Sequence, residues 1–102
     1  MNVVKVCYKR GVRFDESYYL KTHIPLAGGV LGPLGLKKAE IVKIASAADG
    51  SAAPYQIVFT AYFDSADALQ RALMNPRMAE VMGDLKNFYD GMPDVMVGET
   101  IG

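Results

Sequence analysis

The chain has 102 residues, 51% of them hydrophobic, with 11 basic and 11 acidic side chains and a formal net charge of zero. That length fits one domain spanning residues 1–102, and the balanced charge, without a basic run or stripe, argues against a nucleic-acid partner. No run of about 18 apolar residues is present, so no transmembrane helix is expected, and the single cysteine, Cys7, excludes an internal disulfide.

The first residues, Met1 to Tyr8, form too short an apolar run for a signal peptide and lack a basic lead-in. With the lone cysteine, this predicts a cytoplasmic protein. A domain of this size buries roughly two-thirds of the surface its unfolded chain exposes. The hydrophobic share exceeds what such a core needs, and a homodimer interface is the simplest place for the surplus.

Residues 2–9 read as a strand with Val4, Val6 and Tyr8 on one face and Val3, Lys5 and Cys7 on the other. Cys7 reads as a packed strand residue rather than a reactive thiol, since no activating partner can be identified. After a loop at 9–13, Asp15 occupies an N-cap position, with Phe14 at N′ and Tyr19 at N4, the spacing of a hydrophobic staple. Pro25 disfavours helical geometry at Ile24, so this helix is predicted to end near His23 or Ile24. His23, the only histidine, then lies on the last turn, where the helix dipole favours its protonated form, with Tyr19 one turn before it on the same face. Residues 27–35 hold Gly28, Gly29, Gly32, Pro33 and Gly35 and read as irregular backbone, either a flap over a pocket or a plain connection.

Residues 36–45 form a second strand, and Asp49-Gly50 marks a turn in the polar connection that follows. Residues 54–63 form a third strand, with Tyr55, Ile57, Phe59, Ala61 and Phe63 on one face and Gln56, Val58, Thr60 and Tyr62 on the other. Two largely apolar faces suit a sheet covered on both sides. Asp64 or Ser65 caps a helix running to about Met74, and Asn75-Pro76 restarts one whose Met78, Val81, Met82 and Leu85 keep helical spacing. An aromatic loop at 87–93 leads to a last strand at 94–101. The order strand, helix, strand, strand, helix, strand is the βαββαβ pattern of an α+β, ferredoxin-like domain with a four-stranded antiparallel sheet. One layer of helices covers one face, and a second copy of the chain is the expected cover for the other.

The segment Phe14, Tyr18, Tyr19, His23, Pro25 and Leu26, following a short strand, resembles the signature of the EthD family, named for ethyl tert-butyl ether degradation. The closing Asn87-Phe88-Tyr89-Asp90-Gly91-Met92-Pro93 before a final strand is also similar to that family. The resemblance implies a dimeric α+β barrel in which two sheets meet, an oxidoreductase-type role in degradation pathways, and no cofactor. Similar barrels include cofactor-independent quinol monooxygenases, lactone isomerases and polyketide cyclases.

His23 either gives and takes a proton or merely satisfies carbonyls at a helix end; the resemblance favours the first, with Tyr19 as its catalytic companion. Tyr18, Leu26, Phe59, Tyr62 and Tyr89 are candidates to contact a hydrophobic or aromatic ligand. Packing competes with that role for each, and Phe59 and Tyr62 lie on opposite faces, so only one can line a given pocket. One histidine and one cysteine cannot supply the usual zinc ligand sets, and neither a phosphate loop nor a dinucleotide fingerprint occurs. Haem on His23 is the weaker alternative to a metal-free site. The chain therefore reads as an enzyme working by acid–base chemistry, as a non-catalytic binding or accessory protein, or as a dimer whose aromatic loop is structural.

Overall fold

A computed structural model describes residues 1–102. Strand β1 (Asn2–Lys9) lies between β3 (Tyr55–Phe63) and β4 (Asp94–Glu99), and β2 (Leu36–Lys43) pairs with the outer side of β3. All pairings are antiparallel and the spatial order is β2-β3-β1-β4, which is the ferredoxin-like arrangement. Val4 pairs with Ala61, Val6 with Phe59 and Tyr8 with Ile57. These residues form the face beneath the helices, as strand alternation predicts. Buried there with them are Phe63, Leu31, Leu69 and Ala72, the last two from α3 (Ala66–Met74).

Ser65 caps α3, its hydroxyl accepting from the Ala68 N–H at 3.1 Å. Asn75 breaks the chain, its side chain accepting from the Arg77 N–H at 2.9 Å. After one turn at Pro76, α4 (Met78–Asp84) begins, and a short 3₁₀ turn (Leu85–Asn87) follows it.

The first helical segment departs from the sequence expectation. Asp15 caps α1 (Glu16–Tyr18) as predicted, accepting from the Tyr18 N–H at 3.1 Å, and the Phe14 and Tyr19 rings meet at 4.9 Å as a staple requires. The chain does not stop at His23. Residues Tyr19–His23 form a π-helical turn, in which the Ile24 N–H donates to the Tyr19 carbonyl, and α2 (Ile24–Leu31) continues from it. A π turn inserts one extra residue, which shifts the preceding carbonyls away from the proline ring and removes the clash that ends an ordinary helix. Pro25 is thus accommodated in the first turn of α2, where its missing N–H costs little.

Two corrections follow. The glycine-rich stretch is neither flap nor loose connection: it is α2 and a 3₁₀ turn (Gly32–Leu34), closed by Gly35 at φ +101°, a left-handed position suited to glycine. His23 lies inside a helical run rather than at its end, so the dipole argument for its charge does not apply.

The other sheet face carries no helix. Val42, Val58, Tyr62 and Met96 are partly or half exposed on it, with Val3 and Cys7 between them. Cys7 is buried, as a packed strand residue would be, and burial pushes its thiol up from its ordinary pKa. No helix is long and apolar enough to cross a membrane.

Candidate active site

Two segments distant in sequence meet at the end of the sheet. The Asp15 N–H donates to the Phe88 carbonyl at 2.7 Å and the Asp90 N–H to the Arg13 carbonyl at 3.3 Å, so Phe14 and Tyr89 pair as an isolated bridge. This brings the aromatic loop against the π turn. Phe88 and Tyr89 are fully buried there, beside Tyr8 and Tyr19. The rings meet mostly edge-on, with Tyr8 centred 5.5 Å from Tyr19 and 5.1 Å from Tyr89. That geometry is the favoured one for ring quadrupoles.

His23 sits at the edge of this cluster, 6% exposed. Its ring stacks on Tyr19 at 5.6 Å and 18° and meets Phe88 at 4.4 Å. The Nδ1 atom lies 2.9 Å from Asp84 Oδ2. Asp84 ends α4, and its other oxygen, Oδ1, accepts from the Tyr18 hydroxyl at 2.5 Å and from Asn87 Nδ2 at 2.9 Å. Burial works to raise the Asp84 carboxyl, but the hydrogen bonds from Tyr18, Asn87 and His23 outweigh it and hold the group below its ordinary value. An ionised carboxylate only accepts, so Nδ1 carries a hydrogen, and in the neutral ring Nε2 keeps its lone pair. Nε2 makes no hydrogen bond within the protein, and it is not among the sealed polar atoms.

His23 also lines a cavity of about 110 Å³ between the sheet and the helices, walled by 18 residues of which 16 are hydrophobic. Val6, Tyr8 and Phe59 form its floor, Tyr19 and Ile24 its side, and half-exposed Met82 and Val95 border it. Tyr19 is completely buried, and its hydroxyl has no well-aligned hydrogen-bond partner. The Tyr8 phenol is its polar neighbour and interacts with it as a loosely aligned hydrogen-bond partner, and burial pushes both phenols far above their ordinary pKa values. The arrangement is a carboxylate-oriented imidazole at an apolar chamber, with two neutral phenols packed into its wall. No three His, Cys, Asp or Glu side chains converge as a metal site would require.

Of the residues singled out from sequence, His23, Tyr19 and Phe59 come together on this cavity. Tyr18 does not line it; its phenol turns to Asp84 behind the imidazole. Tyr62 is on the helix-free face, as the parity of β3 dictates, where Lys38 Nζ lies 5.1 Å over its ring. Leu26 is partly buried away from the cavity, because the continuing helix rotates it from His23. Tyr89 packs in the aromatic cluster and its hydroxyl accepts the Lys9 N–H at 2.9 Å, which pins the loop to β1.

Asp84, Asn87 and Tyr8 were not singled out as site residues. Asp84 had a signal: an acidic residue at a helix C-terminus opposes the helix dipole and calls for a compensating partner.

The fold and site thus define a ferredoxin-like α+β protein with a carboxylate-oriented histidine on an apolar cavity. The family model described as the EthD domain matches residues 13–92, and the chain belongs to the EthD family, within the dimeric α+β barrel superfamily. An EthD-like protein from Ralstonia eutropha JMP134 is similar at 28% identity and a TM-score of 0.85, over 99% of this chain and 92% of that one. An ethyl tert-butyl ether degradation family protein from Bacillus halodurans C-125 follows at 20% identity and a TM-score of 0.75, over 98% and 97%. SnoaB from Streptomyces nogalater, described as a cofactor-independent oxygenase, shares the fold at 13% identity and a TM-score of 0.69, over 99% and 92%. No curated protein matches the chain.

Proposed function

We propose that this chain is a small cytoplasmic enzyme that works without a cofactor on a hydrophobic or aromatic molecule, with His23 as general base and acid. The observation that carries the reading is the His23–Asp84 pair at 2.9 Å, which leaves Nε2 of a cavity-lining histidine free of any hydrogen bond within the protein. Nε2 takes a proton from an acidified C–H or O–H of the substrate, and the ionised Asp84 stabilises the imidazolium that forms. The apolar walls limit water's access to the resulting anion. Returning the proton at another atom gives an isomerisation or cyclisation. With dioxygen as oxidant and the substrate anion as reductant, the same step opens an oxygenation, the chemistry named for SnoaB.

The nearly all-apolar wall also suits a carrier or accessory protein without turnover, and one experiment separates the two. Quinols and cyclic β-diketones are incubated with the protein while oxygen uptake and exchange of acidic hydrogens into deuterated water are followed. The enzyme reading expects His23→Asn to lower the rate by about 10²–10⁴-fold, the contribution of a positioned proton-transfer group. Binding of these compounds with rates equal in both proteins would overturn it in favour of the carrier.

The same reading includes a homodimer. Val42, Val58, Tyr62 and Met96 form an apolar part of the helix-free face, around Lys5, which donates to Thr60 at 2.9 Å, and the superfamily takes its name from the pairing of two such sheets.

A further inference from the structure

Pro25 is exposed and lines no part of the cavity, so core packing does not account for it. Its effect is on the backbone. In an ordinary helix its ring would meet the Lys21 carbonyl, and it has no N–H to offer that group. The π turn over Tyr19–His23 relieves the clash: the Ile24 N–H reaches back five residues to the Tyr19 carbonyl, and the helix widens just before the ring.

The same turn sets the company His23 keeps. Tyr18 and Tyr19 are partly and fully buried, Leu20, Lys21 and Thr22 are exposed, and His23 and Ile24 are fully and partly buried again. That is a repeat of five, not of 3.6. At α spacing, five residues overshoot a full turn by about 140°, which would set Tyr18 and His23 on different sides of the helix. Here they meet at one carboxylate: the Tyr18 hydroxyl donates to Asp84 Oδ1, and His23 Nδ1 lies 2.9 Å from Oδ2. Tyr19, four residues before His23, still stacks on the imidazole at 5.6 Å. All three rings pack on Phe88, centred 4.4 Å from His23, 5.1 Å from Tyr19 and 6.4 Å from Tyr18.

From the exposed proline, the five-residue burial repeat and the shared carboxylate, we infer that Pro25 is a positioning residue for His23 and acts through the π turn that it holds open. By disfavouring the tighter register, it keeps Tyr18 and His23 on the same Asp84 carboxylate. Nδ1 then stays paired and Nε2 stays unbonded. The inference rests on the reading of His23 as the base of the site, and it gives Pro25 a task there without any contact to a ligand.

Pro25→Ala tests it, because alanine returns the N–H, removes the ring and opens the ordinary register. NMR reads the backbone through couplings across hydrogen bonds and the imidazole through its ¹⁵N shifts, and neither measurement needs a substrate. In wild type the Ile24 amide should couple to the Tyr19 carbonyl and His23 should be the Nδ1–H tautomer. In Pro25→Ala the coupling should move to the Leu20 carbonyl, and His23 should show the tautomer mixture of an unanchored imidazole. Exchange of acidic substrate hydrogens should slow by about 10–100-fold, the cost of a misplaced catalytic group. Tyr18→Phe keeps the proline and the turn. It should leave the Ile24–Tyr19 coupling in place and slow exchange by about 2–10-fold, the range of one hydrogen bond. In the Pro25→Ala background the same change should add nothing, since both act through one carboxylate. An Ile24–Tyr19 coupling that persists in Pro25→Ala, or an unchanged tautomer there, would overturn the inference. So would a full rate in Tyr18→Phe beside a slow His23→Asn. Rates that depend on His23, with a turn unaltered by Pro25→Ala, sink this inference alone. Couplings and tautomers as expected, with equal rates in wild type and His23→Asn, sink the enzymatic reading and leave the hold of Pro25 on His23 standing.

Discussion

Asp84→Asn tests whether the carboxylate sets the direction of the base. The two Asp84 oxygens have separate tasks: Oδ1 accepts from Tyr18 and Asn87, and Oδ2 faces His23 Nδ1 at 2.9 Å. In the variant, the amide oxygen takes the Oδ1 place, because both neighbours there donate. The amide nitrogen then points at Nδ1 and must donate to it. The imidazole hydrogen moves to Nε2, and the lone pair there is lost. Turnover should fall by about 10²–10⁴-fold, and ¹⁵N spectra of His23 should change from the Nδ1–H to the Nε2–H tautomer. Stability should change less, since every hydrogen bond is replaced and only charge assistance is lost. Hydrogen bonds to charged groups contribute about 1.5–3 kcal/mol and neutral ones about 0.5–1.5, so each of the three bonds loses about 1 kcal/mol; relief from burying a charge offsets part of that, and a net cost of roughly 1–2 kcal/mol is a drop of about 4–16 °C in Tm for a domain this size.

The pH dependence carries a defined sign. The carboxyl of Asp84 is held below its ordinary 3.8 in the folded chain, so the stability it lends is complete above that value. It is lost as pH falls through the lower folded pKa. Denaturant titrations should therefore show a constant gap between wild type and Asp84→Asn near neutrality that narrows well below pH 4. Wild-type turnover in the variant, or an unchanged tautomer, would refute the assignment of Asp84 as the positioning residue.

The remaining predictions concern the helix-free face. Cys7→Ala should leave turnover and ligand affinity unchanged while costing about 1–2 kcal/mol of stability through lost packing; an inactive variant of normal stability would show the thiol to be chemical. Wild type should sediment as a dimer at micromolar concentration, and Val58→Glu, which would bury a carboxylate of each copy between the two faces, should sediment as a folded monomer. A wild-type monomer would contradict the proposed pairing of sheets.

Local signals in this chain are strong where one residue acts on its immediate neighbours. Asp15 capping Tyr18, the Phe14–Tyr19 staple, Ser65 at the start of α3 and the alternation along β1 and β3 are all legible because they depend on spacing alone. The order of elements then leads to the ferredoxin-like sheet, and the signature around His23 to the EthD family. Pro25 is where local reasoning fails: the proline rule describes an average helix, and the π turn before it changes the geometry on which the rule depends.

The site itself was only half visible, for a related reason. His23 and Tyr19 are four residues apart and could be paired on paper. Asp84 is 61 residues away from His23 and reaches it only because α4 packs across α2 while the 88–90 loop is pinned to residues 13–15. Tyr18 and Tyr19 are adjacent and chemically identical, yet one turns outward to hold a carboxylate and the other is sealed beside the cavity. The sequence by itself determined the strands, the caps, the fold order and the position of the one histidine. Only the tertiary structure decided which nitrogen of that histidine meets a carboxylate and which phenol stacks on it, because hydrogen-bond partners and burial are set by the packing of elements that the linear spacing does not relate.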